Sequence, residues 1–455
     1  MSSKPQLKPL KDQAIVITGA TSGVGLTTAR RAARAGACVF LIARGEQDLK
    51  TLCEDIQAEG GRVAWAAADV ADYDALSEAA DKCRRLFGGF DTWVNNAGVS
   101  IFGPIRETTL EDQRRLFETN YWGVVNGSLI AVEHLRGRPG GGAIVNVGSI
   151  LSDAPIPLQG IYAASKHAVK GFTNSLRMEL IREKAPVSLS LVKPAAIDTP
   201  YNRHARNLTG QAVQNPQPVY GTHVVADTVL YCASHPIREI TVGGGGRLIA
   251  SFYSALPGVA EPLFARFAPS MMRDKTHDYH PWDDGLYDPT NDGLADELHY
   301  PVVRRFSTLA EVRKHPGIAG TVVALLAAVG VGYILLNQKS GPTRFERWKA
   351  QADPRRWRMP SMPSMPWLSR LPSSIPGLGS GGAEGRLDAL QAELDRYGGR
   401  ARRGLERAGG RARRYAADAG GYARDHAKEG GAVAAATALL GVLALLAMKS
   451  GQSDD

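Results

Sequence analysis

Ala14-Ile-Val-Ile-Thr-Gly-Ala-Thr-Ser-Gly-Val-Gly25, continued by LTTARRAARAG to Gly36, is the stretch on which the fold of this chain turns. Ala14 to Thr18 is a short β-branched run of the kind that fills a buried strand, and LTTARRAARAG has the apolar spacing of a helix. Between them, glycines at 19, 23 and 25 allow a sharp turn and a close approach of backbone to ligand. Strand, Gly-rich turn and helix in that order put free amides of a helix N-terminus at the carboxyl end of a strand, where they can bind a pyrophosphate. Gly19, Ser22, Gly23, Val24 and Gly25 are therefore candidate contacts to a dinucleotide.

The next strand, Cys38 to Arg44 (CVFLIAR), ends where such a fold reads the adenosine ribose. A carboxylate there would select NAD. This chain has Ala43-Arg44, and Arg44 can face a 2′-phosphate, so NADP(H) is the expected cofactor. The alternation continues with a helix around Asp48 to Glu59, a strand at Arg62 to Ala68, a helix around Tyr73 to Phe87 and a strand at Asp91 to Val94. Repeated βα units imply an α/β fold built on a parallel, doubly wound sheet of Rossmann type. Asp69-Val70 closes the third strand and Asn95-Asn96-Ala97-Gly98 the fourth, both at carboxyl ends, where these sheets bind ligands. Leu110 to Leu135 reads as an amphipathic helix with Asn120 in its interior, a position mildly unfavourable for Asn unless its amide bonds something.

Ser149 follows a second buried-strand run, Ala143 to Val147. Tyr162 and Lys166 stand four apart in IYAASKHAVKGFTNSLRMELIREK, a helical pattern, so both side chains share one face. A free phenol titrates near ~10 and is a poor acid-base at neutral pH, but an adjacent ammonium and a cationic nicotinamide can pull it toward the working range.

Thr18-Gly-x-x-x-Gly-x-Gly25, Asn95-Asn-Ala-Gly98, Asn120, Ser149 and Tyr162-x-x-x-Lys166, in this order and at these spacings, resemble the motif set of the short-chain dehydrogenase/reductase family. The resemblance covers residues 1–250. It implies that Tyr162 is the acid-base, that Lys166 binds the nicotinamide ribose and lowers the Tyr162 pKa, that Ser149 positions the substrate oxygen, and that Asn120 holds a water in a proton relay. It also implies that Asp69 and Val70 contact adenine and that Asn96, Ala97 and Gly98 line the cofactor. The chain departs from the pattern at Lys193-Pro-Ala-Ala-Ile-Asp-Thr199, where Ala195 stands for the family's glycine; Pro194, Ile197 and Thr199 are still expected at the nicotinamide carboxamide. Tyr201 to Val219 then reads as a loop-like substrate lid, with Arg203, His204 and Arg206 either available to an anionic substrate or solvated lid charges. A helix at His223 to Ala233 and a strand at Glu239 to Val242 complete this fold before Gly243 to Gly246.

Cys38, Cys53, Cys83 and Cys232 are spread singly, without metal-ligand or paired spacing, so they read as small buried apolar residues in a reducing compartment, and no metal is expected. The N-terminus has no apolar signal region. Residues 251–316 read as a connecting segment, in which Asp283, Asp284, Asp288 and Asp292 have no metal-ligand spacing. Gly317 to Leu336 is uncharged and long enough for a helix to cross a bilayer, with small residues at Gly320, Ala324, Ala328 and Gly332 on one face. Ala432 to Met448 is a shorter second candidate. Residues 337–431 between them are Met/Pro/Ser-rich, then Arg/Ala/Gly-rich, as expected of a partly disordered, partly helical extension. The formal charge is +9, and much of the excess lies there, in segments such as RARRGLERAGGRARRY, which favours anionic lipid over nucleic acid. If both runs span, that basic linker lies opposite the catalytic domain, against the positive-inside tendency; a single span or a shallow hairpin removes the conflict.

The expectation is a membrane-associated NADP(H)-dependent oxidoreductase with its catalytic domain on the cytoplasmic side, interconverting a carbonyl and a secondary alcohol on a small or lipophilic molecule. By resemblance, the helix bearing Tyr162 could pair subunits into a homo-oligomer. A nucleotide-binding sensor or scaffold is the rival, and the presence of Asn120, Ser149, Tyr162 and Lys166 together counts against it, since a scaffold has no need of a phenol-ammonium pair.

Overall fold

Side-chain alternation on the buried strands sets the layering. In chain order the strands are β1 (Ala14–Thr18), β2 (Cys38–Ala43), β3 (Arg62–Ala67), β4 (Thr92–Asn95), β5 (Ile101–Phe102), β6 (Gly142–Val147), β7 (Val187–Pro194), β8 (Arg206–Asn207), β9 (Val219–Tyr220), β10 (Glu239–Val242) and β11 (Val303–Arg304). The computed structural model describes residues 4–274, 284–290, 293–298 and 300–314. Seven strands form one parallel sheet in the order β3-β2-β1-β4-β6-β7-β10. Ile15 and Ile17 of β1 face one side with Val39 and Leu41 of β2, whereas Val16, Phe40 and Ile42 face the other.

Both faces are covered, which is why β1 and β2 are nearly continuous apolar runs and why even the polar residues of β7, Ser188, Ser190 and Lys193, are buried. The first face packs against α1 (Gly23–Arg34) and α2 (Glu46–Ala58) through Leu26 and Leu49, the second against α3 (Tyr73–Phe87) through Leu76 and Cys83. α3 keeps the expected bounds because both ends carry signals: Asp72 caps it by accepting from the Ala75 amide at 3.0 Å, and Gly88 ends it in the left-handed region at φ 72°. Strand order reverses between β1 and β4, and the crevice at their carboxyl ends is where the site lies.

The expected single helix from Leu110 to Leu135 is three pieces: α4 (Leu110–Phe117), a π turn at Glu118–Trp122, and α5 (Gly123–Arg136). Asn120 explains the break, because its amide oxygen accepts from the Val99 N–H at 2.8 Å and its nitrogen donates to the Val99 carbonyl at 2.9 Å. A widened turn brings that side chain against the β4–β5 connection.

Past α6 (Gly160–Arg182), the lid region holds a short helix, α7 (Tyr201–His204), and β8 pairs with β5. α8 (Thr222–Ser234) returns over the sheet to β10. Gly243 to Gly246 does not end the fold. It opens α9 (Gly244–Ala255), which is followed by α10 (Pro257–Met271), and β11 pairs with β9. α11 (Thr308–Lys314) lies on the β10 edge, where Ser307 accepts from the Gly243 N–H at 3.0 Å. The described residues beyond 250 thus belong to the same unit as the sheet, Met1–Pro316, and not to a separate connecting segment. Both apolar runs, 317–336 and 432–448, and the 337–431 linker lie outside the described residues. Among the described residues no helix is long and apolar enough to cross a membrane.

Candidate active site

A cleft of about 350 Å³ opens at the carboxyl ends of the strands. At one end β1 delivers the glycine turn. Gly19 sits at φ 63°, and a Cβ on Gly25 would stand 2.0 Å from the Gly19 carbonyl oxygen, so α1 can start this close to the strand only with glycine there. Asn96 ties turn to strand, its amide nitrogen donating to the Thr18 and Gly19 carbonyls at 3.0 and 3.1 Å. Asp69 accepts from the Ala71 amide at 3.0 Å and from Arg115 at 2.5 Å.

At the other end stand Ser149, Tyr162 and Lys166. Ser149 caps the 3-10 turn Ile150–Ser152, accepting from the Leu151 amide at 3.1 Å, and its hydroxyl reaches the Tyr162 hydroxyl. The Lys166 ammonium is buried, donates to the Val147 carbonyl at 3.2 Å, and stands 5.6 Å from the centre of the Tyr162 ring. Burial raises the Tyr162 phenol above its ordinary value, against the opposing hydrogen bonds of Tyr201 and Ser149, and pushes Lys166 down to about 8. The expected lowering of the phenol needs the cationic nicotinamide beside the lysine; in the protein alone desolvation dominates.

Of the residues singled out from sequence, Gly19, Ser22, Gly23, Val24, Arg44, Asp69, Val70, Asn96, Ala97, Gly98, Ser149, Tyr162, Lys166, Pro194, Ile197 and Thr199 all line this cleft. Gly25 and Asn120 lie behind the wall. Asn120 is fully buried and spends both amide protons, one on the Val99 carbonyl and one on Ser165 at 3.2 Å. Its side chain is a brace between β4 and α6, not a donor reaching into the cleft.

Two further expectations change. Arg44 does not stand open at the end of β2: its guanidinium donates to the carbonyls of Gly285 at 2.6 Å, Tyr287 at 2.7 Å and Asp288 at 3.1 Å. Arg115 holds the same strap, donating to the Leu286 carbonyl at 3.0 Å, and the Gly23 amide is bonded to the Ala295 carbonyl at 2.9 Å. In the lid, Arg206 is committed to Asp112 and Asp284, with Asp284 Oδ2 at 2.9 Å; Arg203 is exposed, and His204 lines the cleft. Ala195, the departure from the glycine pattern, is accommodated because a Cβ on Gly243 or Gly246 would stand only 2.6 or 2.7 Å from its methyl. Of the cysteines, Cys53, Cys83 and Cys232 are buried and Cys38 is partly exposed; burial pushes the Cys83 and Cys232 thiols up to about 12, so they stay protonated.

Sequence reasoning passed over Ser100, Gln159 and Tyr201, which join the cleft wall beside Tyr162. Their only signal was polarity next to recognised motifs. The residues present suit a dinucleotide. Among the described residues, Lys166 has three donors and a single acceptor, the Val147 carbonyl, and Thr119 Oγ1 on the cleft wall is buried without a partner.

The model of the family described as short chain dehydrogenase matches residues 13–209. An uncharacterized oxidoreductase of Bacillus subtilis, YxnA, is 40% identical over 334 residues, 72% of this chain and 92% of that protein. A 3beta-hydroxysteroid dehydrogenase 1 of Eggerthella lenta is 31% identical over 194 residues, 42% of this chain and 74% of that protein. The crystal structure of a short chain dehydrogenase/reductase from Burkholderia phymatum in complex with NAD superimposes with a TM-score of 0.52 at 25% identity, covering 56% of this chain and 97% of that one.

Proposed function

The chain belongs to the short-chain dehydrogenase/reductase family and is an oxidoreductase of that type, and we propose that it interconverts a carbonyl and a secondary alcohol with NADP(H), using Tyr162 as acid-base. The observation that carries this reading is the meeting of the Ser149 hydroxyl, the Tyr162 phenol and the buried Lys166 ammonium in one cleft with the glycine turn. When bound, the nicotinamide gives or takes the hydride. Tyr162 gives the substrate oxygen a proton in reduction and removes it in oxidation. Ser149, whose oxygen is held by the Leu151 amide, keeps its own proton to donate to that oxygen. Lys166 would hold ribose hydroxyls and lend positive charge to the phenolate; Asn120 keeps Val99 and α6 in register behind them. Gly19, Ser22, Gly23 and Val24 would cradle the pyrophosphate, Asp69 and Val70 the adenine, Asn96, Ala97 and Gly98 the adjoining ribose face, and Pro194, Ile197 and Thr199 the carboxamide. The test is NADPH or NADP absorbance against a panel of secondary alcohols from butan-2-ol to decan-2-ol, a 3β-hydroxysteroid, and the matching ketones. No turnover of any of them with either nicotinamide would overturn the reading.

NADP(H) over NAD(H) rests on Arg44, with no carboxylate at the end of β2. Its guanidinium now meets neutral carbonyls, and a 2′-phosphate is the stronger acceptor, since charge-assisted bonds are roughly twice as strong as neutral ones. Arg44→Asp should therefore shift the ratio of NADPH to NADH affinity by about one to two decades. Equal loss of both affinities would assign Arg44 to holding the 285–288 strap alone.

Attachment to a membrane, with the catalytic unit on the cytoplasmic side, is supported by the uncharged run 317–336 and the basic segment beyond it. The described residues add an apolar stripe on α10: Val259, Leu263, Phe267 and Met271, four apart, are each exposed. Such a surface, and the steroid named for the Eggerthella lenta relative, favour a lipophilic substrate. The full chain is expected to stay in a membrane pellet through a high-salt wash, which shortens the screening length from ~8 Å at physiological ionic strength to ~3 Å at ~1 M salt, and to leave only with detergent. Leu325→Asp with Leu326→Asp should make it salt-extractable, because each charge at a helix centre costs about 3 kcal/mol to insert. Full-length protein in the low-salt soluble fraction would end the anchor reading. A tail-free chain should stop at Pro316, since ending near 250 would remove α10, α11 and the strap from the unit.

A further inference from the structure

We propose that Tyr201 is a positioning residue for the acid-base: its hydroxyl switches its single proton from Ser100 to Tyr162 when Tyr162 becomes phenolate. This rests on Tyr162 being the acid-base. Tyr201 opens α7, directly after Pro200, and its ring meets the Tyr162 ring edge-on with centroids 5.4 Å apart. Its hydroxyl accepts from Gln159 Nε2 at 3.1 Å, donates to Ser100 Oγ at 2.7 Å, and lies within hydrogen-bonding reach of the Tyr162 hydroxyl.

A phenol has one proton, so Tyr201 can serve one of these two acceptors at a time. With Tyr162 protonated, Ser100 takes it. When Tyr162 carries negative charge, that oxygen becomes the better acceptor, because hydrogen bonds to an ionised group are the stronger ones. Ser149 cannot supply the same support at that moment, because its one proton faces the substrate oxygen while its own oxygen is held by Leu151. Lys166 acts from over the ring and is bonded to Val147. Tyr201 is then the neutral donor left to the phenolate, and Gln159 holds its oxygen. Burial holds the Tyr201 phenol well above its ordinary value, so it keeps its proton where Tyr162 titrates. No bond to hydrogen is broken in the switch; an O–H rotates between acceptors.

Tyr201→Phe keeps the ring contacts with Tyr162 and Phe102 and deletes only the hydroxyl. In the full chain, with the secondary alcohol of the panel that the unmutated protein oxidises fastest, the pH limb of kcat/KM should move up by about one unit, with the rate on that limb falling roughly ten-fold and NADPH affinity unchanged. Ser100→Ala removes the competing acceptor, so its limb should stay or move down. A general loosening of the site would slow both variants without separating their limbs. A Tyr201→Phe limb within about 0.3 units of the unmutated one, or Ser100→Ala shifting upward with it, overturns the switch. Those results differ from failure of the functional reading, in which the unmutated protein itself oxidises nothing in the panel.

Discussion

Tyr162→Phe is expected to lower turnover by roughly 10²- to 10⁴-fold with NADPH affinity nearly unchanged. The variant loses one oxygen. The ring that Lys166 overlies and Tyr201 meets edge-on stays in place, so the cleft keeps its shape while the group that exchanges a proton with substrate is gone. The sign of the pH dependence follows from the same atom. Alcohol oxidation needs the phenolate, so its rate should rise as pH rises through the Tyr162 pKa, and ketone reduction should fall over the same range. Burial raises the Tyr162 phenol above its ordinary value in the protein alone, and the positive charge of a bound oxidised nicotinamide would draw that range down. Single-turnover rates in both directions, measured across pH, would check magnitude and sign together; turnover of the variant within a factor of a few of the unmutated protein would remove Tyr162 from the mechanism.

What could be read from sequence was what local pattern encodes. The expected bounds of β1, α3 and β10 agree with the structure to the residue, and the Asp72 cap and Gly88 show why α3 ends where it does. The Tyr162–Lys166 face followed from helical spacing alone, and sixteen of the eighteen residues singled out reached the cleft wall. The misses share a cause: the deciding partner is distant in the chain. Asn120 breaks its helix because it bonds to Val99, 21 residues back. Ala195 fits because Gly243 and Gly246 make room for its methyl. Arg44 is engaged by carbonyls 241 to 244 residues later, and no reading of CVFLIAR could have found them. Tyr201 was grouped with a loop-like lid, because nothing in YNRHARN says that Ser100 lies within 2.7 Å of its first side chain.

Gly25→Val should abolish the cofactor site without touching any residue that the chemistry uses. A Cβ at Gly25 would stand 2.0 Å from the Gly19 carbonyl oxygen, 2.6 Å from Asn96 Nδ2 and 2.9 Å from the Gly19 carbonyl carbon. Two of those atoms are backbone. The third is bonded to the Thr18 and Gly19 carbonyls, so none can step aside without opening the turn. Overpacking of a closed site costs about 3 kcal/mol, or about two decades in affinity if the whole cost falls on the bound form. The backbone conformation at Gly25 is ordinary, so space alone carries the effect. Gly171→Ala is the matching control. Gly171 lies within α6 with nothing within 4 Å of its would-be Cβ, and alanine there should hold or raise stability by about 0.5–1 kcal/mol with NADPH affinity intact. Titration of NADPH against the folded Gly25→Val protein measures the loss directly. Affinity equal to that of the unmutated chain would mean that the Ala14–Gly36 unit is a structural turn, and that the nucleotide is held elsewhere in the cleft.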